Sequence, residues 1–124
     1  MGGAEPGAER LLIEVKFTRD SRGRLSSVFA TGHAEFGAFP DDVVCAAVSA
    51  ILQAAYAGLE DVAKLQLDGK RLSGELVMHI PDAARERADV AAIVATAEIS
   101  LEQLARQYPE HIRVRRESET ETKR

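Results

Sequence analysis

The stretch Leu11–Ala34, LLIEVKFTRDSRGRLSSVFATGHA, decides the architecture. Leu11, Ile13, Val15 and Phe17 alternate with Leu12, Glu14, Lys16 and Thr18, the period-two pattern of a strand with one buried face. DSRG at 20–23 supplies a turn, and RLSSVFATGHA reads as a second strand folded back on the first as a hairpin. His33 falls at the end of that second strand.

Downstream, Gly37, Pro40, Asp41 and Asp42 break the alternation and a helical period begins. Val44, Val48, Ile51, Ala55, Leu59 and Val62 recur at spacings of three and four, one face of a helix of roughly five turns with Asp41 or Asp42 as N-cap. Ala46, Ala47, Ala50, Ala54 and Ala57 keep its flanks thin. KLQLDGKRLSGELVMHIP then reads as a second hairpin: Leu65 and Leu67 lead in, Asp68-Gly69 is the expected turn, and Leu76, Met78 and Ile80 alternate before Pro81 ends the strand. From Asp82 to Tyr108 the apolar positions Val90, Val94, Ala97, Leu101, Leu104 and Tyr108 return to helical spacing. HIRVRRE adds a short edge strand through Ile112 and Val114. The expected fold is therefore α+β: a two-layer sandwich in ββαββα order, with an antiparallel or mixed sheet and two helices packed on one face.

A chain of 124 residues, 45% hydrophobic and 29% charged, is one globular domain. Its expected limits are residues 10–116, with a disordered arm at 1–9 and a charged disordered tail at 117–124. The net charge of −4, with no basic stripe, argues against direct nucleic-acid binding. No apolar run is read as approaching the eighteen or so residues that span a bilayer, so no membrane is expected. Pro6 stands where a myristoylation motif wants Ser or Thr, and MGGAEPGAER is too polar for a secretory signal. With a single cysteine no internal disulfide forms, and a reducing cytoplasm is the expected compartment.

That cysteine, Cys45, follows His33 by twelve positions. Three or four residues into a helix, a thiol feels the positive end of the helix dipole, which favours the thiolate, and a nearby histidine supplies a general base. Free cysteine is also among the most often buried residues, so the spacing by itself leaves a core role open. Gly32, Ala34, Phe36, Gly37 and Phe39 form a segment suited to close on a peptide. Ser49, one turn beyond Cys45, is placed to bond near the sulfur or back to its own helix. Asp42 either orients His33 as a third member of a triad or caps the helix. His33, Asp42, Cys45 and His79 lack the short ligand spacing of a structural zinc site; no metal or cofactor is expected. His79 and His111 read as surface residues.

Gly32-His33-Ala34 followed by Asp42-Val43-Val44-Cys45-Ala46-Ala47-Val48-Ser49 resembles the bacterial ribosomal-processing cysteine protease family, Prp. The resemblance implies a homodimeric cytoplasmic cysteine endopeptidase that removes a short N-terminal extension from a large-subunit ribosomal protein during ribosome assembly. By position it makes Cys45 the nucleophile and His33 the base, with Asp42 and Ser49 at further motif positions. Pro40 and Asp41 stand where family members commonly carry a glycine and a lysine or similar residue, and Pro40 stiffens that end of the loop. Two other readings are a non-catalytic ribosome-associated protein-binding module with Cys45 in its core, and a thiol hydrolase acting on another acyl substrate.

Overall fold

In the computed structural model, which describes residues 12–32, 41–72 and 75–119, the two alternating segments form β1 (Ile13–Arg19) and β2 (Leu25–Thr31), an antiparallel pair. Then come α1 (Asp41–Ala57), continued by one π-helical turn (Gly58–Val62), β3 (Asp68–Leu72), β4 (Glu75–His79), α2 (Ala88–Gln107) and β5 (Ile112–Ser118). The five strands lie in the order β3-β4-β2-β1-β5. Only β5 runs parallel to its neighbour, β1, because the return through α2 brings the chain back in the same direction. The sheet is thus mixed, with both helices on one face as expected.

Register explains the core. Ile13, Val15 and Phe17 of β1, Val28 and Ala30 of β2, and Leu76 and Met78 of β4 share one side of the pleat and are buried. They meet Val44, Cys45, Val48, Leu52, Ala55, Tyr56 and Leu59 of α1 and its π turn, and Val90, Val94, Ala97 and Leu101 of α2. Expected and observed helix faces differ: Leu52 and Tyr56 are buried, Ile51 is only partly so, and Val62 is 72% exposed. The π turn closes an Ala63 N–H to Gly58 carbonyl bond of 3.0 Å, one residue longer per turn than an α-helix, and so swings Val62 off the core face. Val43–Val62 is as long and apolar as a bilayer-spanning helix, with a mean hydropathy of 1.6, contrary to the sequence reading. Val44, Val48, Leu52, Ala55, Tyr56 and Leu59 of this segment are buried in the core, while Val43 and Val62 at its ends are exposed.

The second hairpin departs from expectation. Asp68 and Gly69 lie within β3, paired with His79 and Met78, and the pairing of β3 with β4 runs up to Leu72 opposite Glu75. A Cβ at residue 69 would overlap the Val77 carbonyl, so glycine here serves close strand approach rather than a turn. At the other edge β5 runs through Ser118, opposite Arg19, which corrects the domain limit drawn at 116. Lys16 and Arg115 reach the Glu117 carboxylate at 3.7 and 3.2 Å and hold that last stretch. The expected arm at 1–9 lies outside the described residues.

Two buried carboxylates tie the layers together. Asp20 Oδ1 accepts the backbone N–H groups of Arg22 and Arg24 at 2.9 and 3.0 Å, and Oδ2 accepts Arg24 Nε and Arg85 Nη1 at 3.0 and 2.9 Å. On α2, Glu98 accepts Arg19 of β1 at 3.0 Å and Arg116 of β5 at 2.7 Å. Burial pushes both carboxyls up, but the hydrogen bonds they accept outweigh it and hold both below the usual carboxylate range. The unfolded chain therefore binds these protons more readily than the folded one. Their contribution is complete above about pH 5 and erodes as pH falls through and below the ordinary carboxylate range. Thermal melts are expected to show a falling Tm below that pH, a fall lessened in Glu98→Gln; an acid-insensitive Tm would exclude this coupling.

Candidate active site

Three elements converge at one end of the sheet. Here β2 ends at Thr31 and Gly32, β1 begins at Leu12 and Ile13, and β5 begins beside them, with the Ile13 N–H donating to the His111 carbonyl at 2.7 Å. Gly32 has φ +94°, and a Cβ on it would lie 2.6 Å from the Leu12 carbonyl oxygen. Only glycine turns the chain out of β2 so close to β1.

α1 begins at Asp41, so the amides of Asp41, Asp42 and Val43 have no i−4 carbonyl within the helix, and Cys45 is its fifth residue. Both aspartates are already helical, which corrects their expected role as N-cap. Acidic residues in a first turn still complement the helix dipole. Cys45, in no disulfide, sits at the edge of that positive end, 2% exposed and within the core cluster. Ser49 follows one turn later and is half-buried.

His33, Ala34, Phe36, Gly37, Phe39 and Pro40 lie outside the described residues. Of the remaining histidines, His79 is exposed as expected. His111, read as a surface residue, is half-buried with Nδ1 enclosed, because the bonds of His111 and Ile112 N–H to the Tyr108 carbonyl, 2.9 and 3.1 Å, fold its segment against the start of β5. Sequence reasoning also passed over Asp20 as a turn residue. Arg24, four positions on, is a local partner, but Arg85 lies 65 positions away, and no local pattern announces that pair.

Comparison with known proteins bears on this end of the molecule. A curated relative, the ribosomal processing cysteine protease Prp of Staphylococcus aureus, is 26% identical over 103 residues, covering 83% of this chain and 97% of the relative. Among solved structures, SMU.848 from Streptococcus mutans superposes with a TM-score of 0.79 at 25% identity, covering 87% of this chain and 99% of the other. The S. aureus Prp bound to a covalently linked product peptide superposes with a TM-score of 0.74 at 25% identity, covering 85% and 99%. The family model for the cysteine protease Prp matches residues 12–113, from the start of β1 into β5, with the Cys45 turn of α1 inside it. The chain belongs to the Prp cysteine protease family.

Proposed function

We propose that this protease removes a short N-terminal extension from a large-subunit ribosomal protein precursor, with the Cys45 thiolate as nucleophile and His33 as general base. The observation that carries the reading is the seat of Cys45 directly behind the first turn of α1, preceded in sequence by Gly32-His33-Ala34, in a chain of this family. The thiolate attacks the scissile carbonyl, and the oxyanion that forms meets the backbone amides at the first turn of α1. His33, as imidazolium, protonates the leaving amine as the C–N bond breaks and a thioester remains. It then takes a proton from the water that hydrolyses the thioester and restores the thiol. Asp42 or Ser49 assists by orienting His33 or the sulfur. An extended substrate lies along the segment containing Gly32, Ala34, Phe36, Gly37 and Phe39, with the phenylalanines contacting its apolar side chains. No metal or cofactor enters these steps.

The test is incubation of purified protein with the host's own ribosomal precursor. Mass spectrometry is expected to find one new N-terminus; a precursor that is bound but never cut would favour a non-catalytic binding module instead. A cysteine nucleophile outside any disulfide suits a reducing cytoplasm, and the chemistry needs neither nucleic acid nor membrane.

The homodimer has a candidate surface. Ile51, Ala54, Gly58 and Val62 face Ile93 and Ala97 across a groove of about 350 Å³ between α1 with its π turn and α2, and Ile99, also on α2, is 54% exposed. Val62→Asp combined with Ile99→Asp touches exposed positions, so it is expected to convert a dimer to a monomer in sedimentation with Tm measured on the monomer largely unchanged. An intact dimer would exclude this face.

A further inference from the structure

The face of the sheet turned away from the helices carries its charges unevenly. On the β1–β5 side they are matched: Glu14 accepts Arg115 at 3.1 Å, and Lys16 pairs with Glu117 at 3.7 Å while standing 5.9 Å from the centre of the Phe29 ring. Across β2 stands Glu75, the first residue of β4, directly opposite Thr31 of β2 on one side and Leu72 of β3 on the other. Leu76 and Met78 point into the core, so Glu75 alternates with them onto the open face, together with Val77. It is half-buried and forms no ion pair or hydrogen bond with any described residue. Its neighbours there, Thr31, Val77 and Phe29, are uncharged. A carboxylate in such surroundings is only partly solvated, so a cation brought to it gains more than at a fully wet surface.

The position of Glu75 ties it to cleavage. Thr31 is followed in the chain by Gly32 and His33, and neighbouring strands lie about 4.8 Å apart. Glu75 therefore stands one strand away from the point where β2 leaves the sheet toward His33. Because it opens β4, it lies at the rim of the sheet, and a substrate backbone crossing the ends of β2 and β4 meets its carboxylate without passing over the sheet face. An extended chain advances about 3.3 Å per residue, so four residues cover about 13 Å, and the long stem of a lysine or arginine adds to that reach.

We propose that Glu75 is a specificity-determining residue, which receives a lysine or arginine of the substrate lying within about four residues of the scissile bond. The inference rests on the reading of Cys45 and His33 as the cleavage site. Val77 and Phe29 take the methylene stem of the incoming side chain, and the Thr31 hydroxyl offers its N–H groups a second acceptor.

Binding of labelled peptides to Cys45→Ala protein, followed by fluorescence anisotropy, tests this, since it registers recognition whether or not cleavage follows. The peptides span the junction between the extension and the mature chain of the host's ribosomal precursor, and each position in turn carries lysine or glutamine. At one position lysine is expected to bind about fivefold tighter than glutamine at low salt, and the preference is expected to shrink at about 1 M salt. Adding Glu75→Gln is expected to remove the preference, and Glu75→Lys to reverse it in favour of glutamate, both with Tm nearly unchanged because no ion pair is lost. A preference that Glu75 controls, in a protein whose native form never cuts the peptide, would support the subsite while removing Cys45 as the nucleophile. Equal affinities for lysine and glutamine at every position, or a lysine preference that Glu75→Gln leaves intact, would overturn the proposal.

Discussion

Replacing Cys45 with alanine is expected to abolish peptide cleavage, lowering kcat/KM at least about ten-thousandfold, while leaving the fold standing. Alanine occupies most of the thiol's volume in a site lined by Val44 and Val48, so the loss of stability is expected to be about 1 kcal/mol, a few degrees in Tm. The contrast between the two readouts carries the inference. A core cysteine with no chemical role would show the small stability loss and unaltered cleavage. A cleavage assay run beside a thermal melt on the same preparation separates the two cases.

Gly32→Ala is expected to do more damage to the fold than Cys45→Ala. A side chain at φ +94° is strained in itself, and the new Cβ would stand 2.6 Å from the Leu12 carbonyl oxygen, which belongs to backbone entering β1 and cannot swing away. Together these are expected to cost about 3 kcal/mol, a fall in Tm on the order of 10 °C. Cleavage is expected to fall further than the unfolded fraction accounts for, because His33 is the next residue. Gly23→Ala is the control: φ there is +80°, but nothing lies within 4 Å of the added carbon. It is expected to cost only about 1–2 kcal/mol, all of it conformational. Equal losses at the two glycines, by urea denaturation, would show that the approach of Gly32 to Leu12 is not what matters.

Strand placement was readable in the sequence wherever one face was buried. Ile13, Val15 and Phe17, and later Leu76 and Met78, alternate because the sheet has one covered side. Period two survives any choice of loop. The helix face was less readable, because alanines dilute the period in α1 and the π turn after Ala57 changes its phase; Leu52 and Tyr56 take core places assigned to Ile51 and Val62. Asp68-Gly69 has the composition of a tight turn but sits in β3, where glycine answers the nearness of the Val77 backbone. Nothing local distinguishes the two uses. At the candidate site, Cys45 was legible as a thiol near a helix start, displaced by one or two residues because Asp41 and Asp42 are themselves helical. The ionic hub at Asp20 was only half legible, since Arg22 and Arg24 lie in its own turn while Arg85 is brought in by tertiary folding alone.

The central claim is that Cys45 is an activated nucleophile and not a core thiol, and the rate of its alkylation by iodoacetamide across pH measures this most directly. The expected profile for the native protein has an inflection below the ordinary thiol value of about 8.5, moved back toward that value in His33→Asn. A Cys45 that stays unmodified at every pH in the native protein, yet reacts at once in urea, would contradict it.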